Sequence, residues 1–127
     1  MKEIRDYIEN ISKLLPLNTS ISYTEAENRA AKFLHAMAKI TDWRHEFAKL
    51  KIQYESVQTA ILHEQLSKGT GKTVTENKLA AEASKEYIAA REEFENIEND
   101  ISYLKAYWEI FNHAHVFYRI MSKNDCQ

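Results

Sequence analysis

Turn-forming residues are almost missing from this chain. It has two glycines, Gly69 and Gly71, and one proline, Pro16. Average glycine usage is about 7%, and a chain of 127 residues with two glycines falls far below it. A β-rich fold needs turn residues at short intervals, and that need is not met. Long helices joined by few turns are what remains. Cysteine is just as scarce. Cys126 stands alone and cannot close an internal disulfide, which points to a reducing compartment. No apolar run approaches the roughly 18 residues of a membrane span. Met1 to Asp6 is charged, with no apolar signal-peptide core behind it. A cytoplasmic protein with no membrane partner is expected.

What is present fits one all-α domain spanning residues 1–127. The chain is 44% hydrophobic and 28% charged, a balance that disordered chains lack. Net charge is −2, unevenly placed. Residues 86–100 carry Glu86, Glu92, Glu93, Glu95, Glu98 and Asp100 against Arg91 alone. Bulk binding of nucleic acid usually needs a more basic chain than this.

Apolar spacing predicts the helices. Ile4, Ile8, Ile11 and Leu15 lie on one face of a short helix over 2–15, which Pro16 stops. Ser22-Tyr23-Thr24-Glu25 is a capping box, with Ser22 accepting from the Glu25 amide and Glu25 reaching back. It opens a long helix over 22–67. Ala26, Ala30, Phe33, Met37, Ile40, Trp43, Phe47, Leu50, Tyr54, Val57 and Ile61 follow at alternating threes and fours, with two threes together at Ile40. That is a coiled-coil-like seam with one phase shift. At about 1.5 Å per residue such a helix needs a partner along its length. A loop over 68–74 carries both glycines and ends in a second capping box, Thr73-Val74-Thr75-Glu76. Residues 75–122 read as helical, with Ser84 offering a restart. Tyr87, Ala90, Phe94, Ile97, Ile101, Leu104, Trp108, Phe111, His115 and Tyr118 form the partner seam. Two long helices joined by a short loop pack as an antiparallel hairpin.

The end of the last helix has a second apolar stripe: Tyr103, Tyr107, Ile110, Ala114, Phe117 and Met121. A helix apolar on most of its circumference is buried on more than one side. Tyr103, Tyr107, Ile110, Phe117 and Met121 are therefore expected at a homo-oligomer interface. The alternative is that the first helix and the connector after it cover them within one chain.

No constellation for catalysis or metal binding emerges. Gly71-Lys72-Thr73 looks like the end of a phosphate-binding loop, but the glycine required five positions earlier is Leu66. His35, His45, His63, His113 and His115 show no metal-ligand spacing, and His115 falls in the seam, where a hydrogen-bonded core role fits better. A non-enzymatic chain without cofactor is expected. Cations collect on the long helix and its loop. Some read as ordinary i,i+4 pairs, as in Lys51 with Glu55, while Lys68 and Lys72 stand clearer of acids.

The layout resembles the UvsY-type phage recombination mediators. The resemblance rests on the short first helix, the Tyr23-x-Glu25-Ala26 lead-in, the Gly/Lys loop, and the aromatic tail from Tyr107-Trp108 to Arg119. It implies a phage protein acting in the host cytoplasm, assembled as a ring, that binds single-stranded DNA and a recombinase. Lys68 and Lys72, helped by Arg44, Lys49 and Lys51, would then contact phosphates. Glu92, Glu93, Glu95 and Glu98 would dock the basic partner. The family is typically rich in Lys and Arg just before the loop, and here that stretch reads Ile61-Leu62-His63-Glu64-Gln65. A second reading is a helical inhibitor or adaptor, with the acidic segment occupying a basic groove on a host protein.

Overall fold

The computed structural model describes residues 1–69 and 73–123. They form four helices: α1 (Lys2–Ser12), α2 (Tyr23–Ser67), α3 (Val74–Glu82) and α4 (Lys85–Lys123). No strand occurs among the described residues. The chain is an all-α helical hairpin. Partner numbers on α4 fall as those on α2 rise: 30 with 115, 33 with 111, 51 with 98, and 58 with 87. The two long helices are thus antiparallel.

Short-range chemistry sets the helix ends. Ser22 accepts from the Glu25 amide at 3.0 Å, Thr73 from Glu76 at 3.0 Å, and Ser84 from Tyr87 at 3.2 Å. Each hydroxyl satisfies an amide that has no partner inside its helix. The Ser84 cap makes α3 and α4 separate helices. The Ser22 box is only half formed, because the Glu25 carboxylate turns to Arg29 at 3.2 Å. Helix α1 ends at Ser12, three residues earlier than the expected 15. There the Ser12 hydroxyl donates to the Ile8 carbonyl at 2.7 Å. The amides of Leu14 and Leu15 bond three residues back, to Ile11 and Ser12. This tighter turn ends the helix before Leu15, whose helical geometry Pro16 disfavours.

The single domain expected from length contains two compact units, Met1–His45 with Ser102–Gln127, and Glu46–Ile101. The first unit holds every fully buried large side chain: Ile8, Phe33, Ile40, Leu104, Phe111 and Tyr118. The Phe33 ring lies 5.4 Å from Phe111 and stacks on Tyr118 at 6.0 Å. Helix α1 packs on α2 through Tyr7, whose ring meets Trp43 at 5.5 Å and takes the Lys39 ammonium at 4.6 Å. The connector is pinned by Tyr118. Its hydroxyl accepts from the Asn18 amide at 2.9 Å and from the Arg29 guanidinium at 3.2 Å. Tyr118 and then Glu25 favour the charged form of Arg29.

The second unit is packed differently. Among its described residues only Ala81 and Ala90 are buried. The seam that buries Ala26 through Ile40 on α2 is only half covered from Phe47 onward, and Leu50 and Val57 are exposed. The deep burial stops at the phase shift.

Two outcomes follow for stability. Phe33→Ala should cost about 3–5 kcal/mol in urea unfolding, while Val57→Ala should cost less than about 1 kcal/mol. In native-state hydrogen exchange, amides of 46–67 and 85–101 should open at lower free energy than those of 26–45 and 102–118. Equal protection would contradict the packing difference.

Candidate functional site

The described residues hold no group of three or more His, Cys, Asp or Glu that could ligate a metal. None of their helices is long and apolar enough to cross a membrane. Gly71 and Lys72 lie outside the described residues, and Thr73 spends its hydroxyl on the α3 cap. His115 has the core role its seam position implies: its Nδ1–H donates to the Ala30 carbonyl at 2.8 Å.

The cations expected to meet phosphate do not form one patch. Arg44 is half-buried and belongs to the first unit. Lys49 is exposed in the second. Lys51 does not pair with Glu55 along α2. It crosses to α4 instead, where its ammonium is 3.7 Å from Glu98 and 5.9 Å from the Phe94 ring centre. Lys68 pairs with Glu64 at 3.1 Å, and Lys72 lies outside the described residues. A phosphate would have to displace a carboxylate at Lys51 and at Lys68. These exposed pairs are individually weak, so the obstacle is modest.

The acids are more available. Glu92, Glu93 and Glu95 are exposed. Glu95 is 3.6 Å from Arg91, while neither Glu92 nor Glu93 has an ion-pair partner among the described residues. Glu98 is half-buried and held by Lys51. The whole second unit carries seven Lys and Arg against eleven Asp and Glu, a net charge of −4. The same unit has apolar side chains with little cover, Ile52 at 66% and Leu79 at 62% exposure, with Leu50, Val57 and Ile88 also open.

The second apolar stripe is largely occupied within the chain. The Arg5 guanidinium of α1 sits 4.1 Å over the Tyr103 ring. Tyr107 packs between Tyr103 at 4.8 Å and Phe111 at 5.7 Å. Phe117 and Met121 line an open cavity of about 420 Å³ with Thr19 and Ile21 of the connector, Tyr23 and Ile120. Ile110 stays 42% exposed. Helix α1 covers Tyr103, while Ile110 stays exposed and Phe117 and Met121 border the open cavity.

One cleft was not anticipated from sequence. In the second unit, α2 and α4 enclose about 220 Å³ lined by Glu55, Gln58, Thr59, Leu62, Tyr87 and Phe94. The Gln58 amide donates to the Tyr87 hydroxyl at 3.2 Å. The available signal was the placement of Tyr87 and Phe94 seven apart on the α4 seam, but the carboxylate opposite them was assigned to Lys51.

Burial raises the ionisation of Tyr7 and Tyr103 above the ordinary tyrosine value, with Tyr107 adding at Tyr103. The unfolded chain therefore loses these protons first as pH climbs. Their contribution is intact below about pH 10 and falls above it. Urea midpoints should hold up to about pH 10 and drop above it, and Tyr103→Phe should shrink the drop. A midpoint insensitive to alkali would contradict the burial. The chain matches no family model, no curated protein and no solved structure.

Proposed function

We propose that this chain is a helical protein-binding module whose second unit docks a basic amphipathic helix of another protein. One observation carries the reading. Residues 46–101 combine a net charge of −4 with exposed Leu50, Ile52, Val57, Leu79 and Ile88, and bury nothing larger than alanine. Apolar side chains left open beside charge of one sign are typical of a recognition surface. A partner helix with leucines on one face and cations flanking them would cover the apolar side chains and neutralise the acids. A second copy of this same acidic unit would bring like charges together, which is unfavourable. The acids would act mainly on the rate and selectivity of encounter, and the apolar contacts on affinity.

The resemblance to recombination mediators makes a recombinase one candidate for that partner. The single-stranded DNA part of that role draws on Lys49, Lys51, Lys68 and Lys72. Carboxylates at 3.7 and 3.1 Å from Lys51 and Lys68 compete with phosphate there, so protein docking is the better supported activity.

The test is fluorescence anisotropy with two labelled probes in parallel at low and moderate salt. One is a synthetic leucine- and arginine-bearing amphipathic helical peptide, and the other an unstructured single-stranded oligonucleotide. The peptide should bind with an affinity that falls as salt rises. Changing Glu92, Glu93 and Glu95 together to Lys should weaken it at least about tenfold. Binding of the oligonucleotide alone would sink the docking reading and put the mediator reading first.

A further inference from the structure

The cleft between α2 and α4 in the second unit has walls of three kinds. Tyr87 and Phe94 supply aromatic surface, Glu55 supplies a carboxylate, and Leu62 with the Thr59 methyl supplies an apolar side. We propose that this cleft is the receptor for one arginine side chain of the docked partner, with the guanidinium against the Tyr87 and Phe94 rings and hydrogen-bonded to Glu55. The proposal rests on the docking reading above and deepens it.

Size comes first. At about 220 Å³ the cleft is smaller than the roughly 300–1,000 Å³ of small-molecule sites, and it suits a single long side chain. Chemistry comes second. Aromatic faces attract cations through their quadrupole, and they favour guanidinium because it is planar and weakly hydrated. Phe94 already attracts one, the Lys51 ammonium 5.9 Å from its centre. The Glu55 carboxylate is available because Lys51 crosses to Glu98 instead, and no cation pairs with Glu55 among the described residues. Gln58 adds an acceptor. Its Nε2 is used on the Tyr87 hydroxyl, which leaves the amide oxygen for an incoming N–H. A guanidinium has five donors in a fixed fork and can use both oxygens, whereas an ammonium is a point donor. The charge of the unit is the third argument. The net −4 of residues 46–101 draws in a cation and discourages an anion.

The experiment uses the amphipathic peptide with one central arginine, and its analogues carrying citrulline or lysine there. Citrulline keeps the shape and removes the charge. On the full chain, the citrulline peptide should bind about tenfold more weakly, and the lysine peptide should fall between the two. Glu55→Gln should weaken the arginine peptide about tenfold and leave the citrulline peptide unchanged. Circular dichroism checks that the variant keeps its helices. Phe94→Leu should weaken the arginine peptide more than the citrulline peptide, and should that variant fail to fold, proton NMR of the wild-type complex replaces it. The arginine Hδ signals should move upfield in the ring current of Tyr87 and Phe94, and unmoved signals would overturn the site. Equal binding of the arginine peptide to wild type and Glu55→Gln would also overturn it, and if the Glu92, Glu93 and Glu95 to Lys variant still failed to bind, the docking reading would stand without the pocket. No binding of any peptide to any form would remove both.

Discussion

The Tyr118 hydroxyl holds three segments together from inside the core. It accepts the Asn18 amide of the connector and the Arg29 guanidinium of α2, while its own ring belongs to α4 and stacks on Phe33. A fully buried phenol oxygen without partners would cost roughly 1–3 kcal/mol. With two donors on it, one of them charged, it ties the start of α2 to the end of α4 at a defined register. The connector returns across the same end, and this brings Thr19 and Ile21 beside Phe117 and Met121. Helix α1 is then positioned over Tyr103 and Tyr7 can meet Trp43. The aromatic core forms around this junction.

Packing is therefore concentrated in one unit, and the other is left half covered. The asymmetry has a physical origin in the seam. Helix α1 meets α2 at Lys39 and at the seam residue Trp43, where α4 also runs alongside. Beyond the two adjacent threes, α1 has ended, and no third long helix covers residues 46–67. Alanines at 81 and 90 are buried because they are small, but Leu50, Val57 and Ile88 keep open surface. Docking surfaces are commonly drawn from such less stable regions, where cover by a partner adds what the fold itself lacks.

Local features were readable because they depend on few neighbouring residues. Ser22, Thr73 and Ser84 each cap a helix within three residues of themselves; the capping boxes located Ser22 and Thr73, while Ser84 was only a candidate restart until the structure broke the helix there. The two seams were readable for the same reason, since a 3.5-residue repeat of apolar side chains has few other uses. The end of α1 was displaced by three residues, because the turn before Pro16 tightens instead of continuing as regular helix. Lys51 shows where locality fails. Spacing assigned it to its i,i+4 neighbour Glu55, whereas the approach of α4 gives it Glu98 instead.

The sequence by itself determined that the chain is helical, where the caps fall, which faces of α2 and α4 meet, and that charge accumulates on residues 86–100. These follow from periodicity, capping chemistry and composition, which are properties of short windows. Only the tertiary structure decided that Arg5 of α1 covers Tyr103 and that the connector comes beside Phe117 and Met121. It also decided that Tyr118 unites three segments, and that Glu55, Tyr87 and Phe94 share a cleft. Those outcomes depend on distances between residues far apart in the chain, where many arrangements satisfy the same apolar pattern. The choice among them is made by hydrogen bonds and ring contacts that no repeat encodes.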